Sequence, residues 1–280
     1  MKPRLRRGRI VLAALLLSVA APGAAFRDHG TVACEIRLAQ GWIEDAFRDT
    51  PVIGGTFSDR LEVETPARVR QARLTEARFG LSVRHGAEGE DRRLALSSVT
   101  ISDMRSHDRY GAAIKTHRSD PGVSLFLADV TLRPGWPAWD SYETTNYDGL
   151  TLDGAKALYA QGLTISEWNA DAAIDSKAEV TQLVNVTITG PGNRPLRFWR
   201  PGPHYLVHTR IEKPTTGTMV WFRDCDGARL VVHASRFNGA PRLSPEQISC
   251  GTGEAPEIVY RERDPRRTGE MHPFFRTCDR

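Results

Sequence analysis

Asp171, Asp175 and Lys177 crowd into the stretch EWNADAAIDSKAEV around the apolar run Ala172 to Ile174, and Arg197 follows in RPLRFWRPGPHY. Carboxylates and cations at such spacing suit chemistry on an acidic sugar. Elimination from a uronic acid needs the sugar carboxylate neutralised, a base at the carbon beside it and an acid for the departing oxygen. Calcium or an arginine meets the first need. Lys177 is the better candidate base and Arg197 the second, because a guanidinium holds its proton far more firmly than an ammonium. His117 titrates near neutrality and suits either proton-transfer role. Lys115 and Arg223 offer charge to an acidic chain, while Trp199 and Trp221 offer ring faces; GWPAWDSY adds Trp136, Trp139 and Tyr142. Calcium takes six to eight hard oxygens in irregular geometry, and Asp153, Asp171 and Asp175 are its candidate ligands. Hydrolysis would instead pair two carboxylates across a cleft. Asp171 and Asp175, four apart on one strand, would stand about 13 Å from each other, whereas Asp153 with Asp175 is closer.

Residues so distant in the chain meet only if the chain repeats. Six short segments share one alternation of apolar and polar residues: SSVTIS, ADVTLR, QGLTIS, VNVTIT, VHTRIE and ASRFNG. Their last apolar residues are Ile101, Leu132, Ile165, Ile188, Ile211 and Phe237, with Leu74 as an earlier member, and the shortest steps are 23 residues. A fixed short period stretched by insertions is the mark of stacked coils, each burying its apolar face on its neighbours. A turn rich in Gly, Pro, Asn or Asp then leads to a second alternating strand in each coil: GAAIKTH, GLTLDG, DAAIDSK, RPLRFW and TMVWFR. With Ile114, Leu152, Ile174, Leu196 and Val220 inward, alternation turns Lys115, Asp153, Asp175, Arg197 and Trp221 outward as one exposed column. His117, Ala155, Lys177, Trp199 and Arg223 form a second. Coils stack about 4.8 Å apart, so Asp153 and Asp175 are expected as neighbours. Two close carboxylates repel unless a cation or a proton intervenes. Calcium is one answer, and an ordinary ladder of ion pairs with Lys115, Lys177 and Arg197 is the other.

CEIRLAQGWIEDAFRD places Ile36, Trp42, Ile43, Ala46 and Phe47 at roughly helical spacing, which predicts an amphipathic helix plugging the first coil. The expected layout is a leader over residues 1–25, an N-terminal cap over 26–65, an all-β parallel solenoid of about seven coils over 66–240 and an irregular cap or tail over 241–280.

The leader reads as an export signal: a basic start, the apolar run IVLAALLLSVAA and the small-residue site PGAA. It is too short to span a bilayer, and no later stretch is long and apolar enough to do so. It carries five of the 38 basic residues and no acid, so 33 Lys and Arg face 34 Asp and Glu in the remainder, a net charge of −1. Overall charge therefore makes no case for nucleic acid. The expected product is an exported monomer, periplasmic or secreted. Four cysteines, Cys34, Cys225, Cys250 and Cys278, allow two disulfides in three pairings. Cys250 with Cys278 would staple the Pro- and Arg-rich tail, leaving Cys34 with Cys225.

At this point the repeat resembles the right-handed parallel β-helix of the pectin-lyase-like superfamily, over roughly residues 66 to 240. That superfamily includes pectate lyases, polygalacturonases, other polysaccharide lyases and exported proteins with no assigned reaction. DAAIDSKAEVTQLVNVTITG is similar to the pectate lyase stretch in which a D-x-x-x-D strand precedes a T-I strand. The resemblance implies calcium held by Asp171 and Asp175. RPLRFWRPGPHY resembles a later cluster of arginine, proline, glycine and histidine, and implies Arg197 as base; the asparagines that follow it in the family are His208 and Thr209 here. The polygalacturonase Asp-Asp pair and Gly-His-Gly are absent. The resemblance implies an acidic polysaccharide as partner and calcium-assisted elimination as the reaction. The alternatives are a noncatalytic envelope or carbohydrate-binding solenoid, and a glycoside hydrolase.

Overall fold

The computed structural model describes residues 28–84, 92–105, 108–118 and 121–278, so the expected leader lies outside the described residues. The chain winds into two sheets, one of twelve strands and one of eight, in which every strand pairing is parallel. The eight-stranded sheet runs from Leu61–Glu64 through Phe79–Arg84, Tyr110–Thr116, Asn146–Leu152, Ala172–Ser176, Arg194–Phe198 and Val220–Asp224 to Ile248–Thr252. The repeat is the cause. Leu74, Ile101, Leu132, Ile165, Ile188, Ile211 and Phe237 pair in register along one column. None of the seven is more than 1% exposed. Each rung thus contributes one side chain to a continuous apolar stack, and burying each such side chain stabilises the fold by about 1.5–3 kcal/mol. The sheets begin at Val52 and end at Tyr260, beyond both expected limits of the solenoid.

A second column bends the larger sheet. Ser98, Asp129, Gly162, Asn185, His208 and Ala234 all have φ between 46° and 71°. One left-handed residue per coil turns the strand sharply while the residues on either side stay in register. That conformation costs an ordinary L-residue roughly 1–2 kcal/mol, which suits asparagine, aspartate and glycine best. At Gly162 a side chain is excluded twice, by its φ of +71° and by Ile36, whose Cδ1 would lie 2.6 Å from an added Cβ.

Ile36 belongs to the helix His29–Ala46, which Asp28 caps by accepting from the Thr31 N–H. Its apolar face is as expected, its place is not. Ala39, Ile43 and Phe47 pack on the outer face of the larger sheet, against Ala95, Phe126, Ala128, Val184, Val207 and Val231, together with Met271, Phe274 and Phe275 of the C-terminal tail. The helix runs along the stack instead of plugging its first coil. The reason is that this sheet is apolar on both faces and needs a cover on the outside as well as a core within.

The disulfides follow from that packing and overturn the expected pairings. Cys34 of the helix joins Cys278 of the tail, and Cys225 joins Cys250, so neither Cys250 with Cys278 nor Cys34 with Cys225 forms. Phe274 and Phe275 dock the tail beside the helix, which brings Cys278 to Cys34. Cys225 lies just past the strand Val220–Asp224, on which Ile248–Thr252 pairs directly. Helix and tail are also tied by charge: buried Arg266 reaches Glu35 Oε2 at 2.9 Å and Asp264 Oδ2 at 2.6 Å, and Asn185 donates to Glu35.

His204 is buried neutral. Its Nδ1 accepts from the Thr181 N–H, its Nε2 lies 2.8 Å from the Arg200 carbonyl, and its ring stacks on Phe198. Burial pushes its pKa from 6.5 down to about 4. The unfolded chain therefore binds a proton that the folded chain refuses, and stability falls as the pH drops from 6.5 to 4. A gap of this size is worth about 3 kcal/mol. Denaturant unfolding at pH 7 and pH 4 of the wild type and His204→Gln should show the loss attributable to His204 in the wild type alone; equal losses would assign the acid sensitivity elsewhere.

Candidate functional site

The outward column of the eight-stranded sheet reads Lys115, Thr151, Asp175, Arg197 and Trp221, each paired in register with the next. Thr151 stands where Asp153 was expected. Asp153 is two residues further along, in the second column with His117, Lys177, Trp199 and Arg223, because Leu150 and not Leu152 pairs with Ile174. The expected Asp153 to Asp175 adjacency is thereby replaced by a bridge: Lys177 Nζ lies 2.5 Å from Asp153 Oδ1 and 2.9 Å from Asp175 Oδ2.

Where an exposed ladder was expected, Asp175, Arg197 and Trp221 of the first column are buried, and Lys115 and Thr151 are half-buried. Asp175 is 4% and Arg197 7% exposed, and Asp171 is fully buried. Arg197 Nη1 donates to Asp171 Oδ2 at 2.5 Å, and Asn193 donates to the other oxygen at 2.9 Å. Arg197 Nε stands 3.6 Å from Asp175 Oδ1, the same oxygen that accepts from Trp199 Nε1. Tyr142 of the GWPAWDSY stretch covers the guanidinium from outside: its ring lies 5.6 Å from Arg197 Cζ, and its hydroxyl accepts from Arg194. The structure therefore builds the ladder of ion pairs that was the other answer to crowded carboxylates. Among the residues offered as ring contacts, Trp221 and Trp136 are buried. Trp221 packs edge-on against Trp199, and Trp136 stacks on Tyr147 with its indole N–H on the Asp148 carbonyl. His117 Nε2 is 3.1 Å from Ser82 Oγ.

Asp148 belongs to this cluster and was missed, since it stands just before GLTLDG, outside the residues read as strand. It is buried at the start of its strand, where it accepts from Thr151 Oγ1 and the Ala172 N–H. Burial, reinforced by the charges of Asp175 and Asp171, raises its carboxyl well above the ordinary range. Asp171 is lifted by burial against the pull of Arg197 and Asn193. Lys177 goes the other way from a useful base: burial favours its neutral form, but Asp175 and Asp153 outweigh this and raise its pKa. Lys115 is lowered, by burial first, with Asp153 opposing; its ammonium lies 4.7 Å from the Phe79 ring centroid.

Calcium does not fit here. Both Asp171 oxygens and both Asp175 oxygens already accept from Arg197, Asn193, Trp199 and Lys177, and the ammonium of Lys177 stands between Asp153 and Asp175. A divalent ion would have to displace a cation and several hydrogen bonds to collect its oxygens.

Two openings lie against the cluster. A cavity of about 340 Å³ is lined by Phe79, Tyr110, Lys115, Asp148, Asp153 and Arg197, among others. A groove of about 670 Å³ is lined by Arg118, Lys156, Lys177, Arg200 and Arg223 with Trp199 and one acid, Glu179. Arg118, Lys177 and Trp199 line both, so the two adjoin. No protein-family model matches the chain, and no curated protein matches it significantly.

Proposed function

We propose that the chain is an exported right-handed parallel β-helix of the pectin-lyase-like kind that binds an acidic polysaccharide in the basic groove. The observation that carries this reading is the lining: five cationic side chains and one indole against a single carboxylate, in a chain otherwise near neutrality. Arg118, Lys156, Arg200 and Arg223 are exposed and spread over several coils, which suits a repeating anion better than a small ligand. Two disulfides and no free cysteine among the described residues support an oxidising compartment. The parallel sheets and the left-handed bend in each coil support the β-helix. No described helix is long and apolar enough to cross a membrane.

A second reading, elimination from a uronic acid in the cavity beside the groove, is favoured by Lys115, the one cavity lysine whose pKa is lowered. Its neutral amine takes the proton from the carbon beside the sugar carboxylate. That electron pair becomes a carbon–carbon double bond, the bond to the departing sugar oxygen breaks, and this oxygen takes a proton from solvent. Arg118, shared by groove and cavity, neutralises the carboxylate. Such a rate rises with pH through a value below the ordinary lysine range.

One experiment tests both. Purified protein is mixed with polygalacturonate, alginate and a neutral glucan at low and high salt, and binding and unsaturated ends are measured. The acidic polymers alone should bind, more weakly in salt. Exposed ion pairs contribute about 0.2–1 kcal/mol each, so Arg200→Ala with Arg223→Ala should weaken binding about tenfold. Unsaturated ends should appear with the wild type and be lost in Lys115→Met while binding persists. Unchanged affinity in the arginine double variant overturns the groove; binding with no product overturns the elimination.

A further inference from the structure

We propose that His208, His233 and Asp264 form a binding site for a divalent metal of the zinc class, at the end of the larger sheet and separate from the basic groove. One ligand atom from each of the three lies within 4.8 Å of the others, and His208 Nε2 stands 3.8 Å from Asp264 Oδ2. Two ligands on a tetrahedral zinc ion, each about 2.0–2.1 Å from it, are about 3.4 Å apart, so small side-chain rotations close the shell. The three residues come from different parts of the chain. His208 is the left-handed bend after the strand His204–Val207, and His233 ends the next strand, Arg229–His233, which pairs with the first in register. Asp264 arrives from the C-terminal tail, beyond the last strand.

Two further features point to a metal and not merely to a histidine and carboxylate in contact. The His233 Nδ1 lies 3.0 Å from the Arg261 carbonyl, a group that can only accept. Nδ1 therefore carries the proton of the neutral ring, which leaves Nε2 as the nitrogen with a lone pair for a metal. A ring nitrogen anchored on a backbone carbonyl is the usual support of a metal-bound histidine. Asp264 is held in the matching way by the fork of Arg266, at 3.0 and 2.6 Å, and Arg266 is fixed in turn by buried Glu35. Oδ1 also accepts from the Arg266 backbone N–H at 3.0 Å, so of the roughly four acceptor positions of the carboxylate the one left for a metal is on Oδ2, the oxygen nearer His208. His208 also borders an opening of about 230 Å³ lined by His29, Asn185 and Arg210. Three protein ligands and one open position describe a zinc site that can take water or an anionic ligand.

The test uses untagged full-length protein, stripped with chelator and desalted, then titrated with zinc and separately with cobalt(II). The expected result is one equivalent of metal retained through desalting, a visible absorption of tetrahedral cobalt, and a rise in melting temperature with zinc. His208→Ala and His233→Ala should each weaken binding by about 100-fold, and His233→Gln, which keeps bulk and polarity, should do the same with the melting temperature of the metal-free protein unchanged. No retained equivalent, or one that survives in the double histidine variant, overturns the site and leaves His208 and Asp264 as an ion pair only.

Discussion

Replacing Cys34 and Cys278 with serine is expected to lower the free energy of unfolding by about 5 kcal/mol, against about 3.5 kcal/mol for Cys225 and Cys250. The difference comes from the unfolded chain. The first bridge closes a loop of 244 residues and the second one of 25, and the longer loop removes more conformations from the denatured ensemble. The first bridge has a second effect, because it holds the helix and tail together over the outer face of the larger sheet. Without it, helix and tail are held by the contacts of Ile43, Phe126 and Phe274 and by the Glu35–Arg266 ion pair. Guanidinium unfolding of the two double-serine variants, each with the other bridge intact, measures both losses. Equal losses, or a larger one for Cys225 and Cys250, would refute the ranking.

Arg197→Ala should cost about 3–5 kcal/mol, the range for removing one partner of a buried ion pair. The guanidinium is the cation paired with fully buried Asp171, whereas Asp175 keeps Lys177 at 2.9 Å. The penalty has a sign in pH. In the variant Asp171 loses its cation, so its pKa, already raised by burial, rises further and the folded state binds a proton that the unfolded state releases. The variant is therefore stabilised relative to its neutral-pH value as the pH falls from 7 towards 5, and the gap to wild type narrows. Adding Asp171→Asn to Arg197→Ala should restore part of the loss, since the uncompensated charge is gone. A gap that stays constant between pH 7 and 5, in the same denaturant series, would show that Arg197 contributes by packing instead.

The stack was legible in the sequence because its inward residues alternate strictly: Ile165, Ile188 and Ile211 recur at one spacing, and the structure puts them in one column. The register of the site was not, for a specific reason. Leu150 and Leu152 both point inward, whereas the matching positions in the next strand are Ile174 and Ser176. Ser176 is buried through its hydrogen bond to Thr181 Oγ1, so a polar residue occupies a core position and disguises the alternation. Aligning Leu152 with Ile174 then moved Asp153 into the wrong column and left Thr151 and Asp148 unseen. The amphipathic face of the helix could be read from spacing, but its resting place depends on which sheet face is apolar outside, a property of Phe126, Val184, Val207 and Val231 taken together. The cysteine pairing depends on the same packing and was equally out of reach.

Among the described residues both sheets stop at open ends, and a parallel stack is in principle a template on which another chain can polymerise. The strand Val52–Phe57, at one end of the larger sheet, blunts that tendency by its own geometry. Its pairing with Ala67–Leu74 slips between Ile53 and Gly55, and Gly55 adopts a φ of +118°. The ragged hydrogen-bonding rim this leaves offers an incoming molecule no regular ladder to extend. Straightening it, by removing one residue at Gly54 or Gly55, would turn a terminated column into a seed for fibrils.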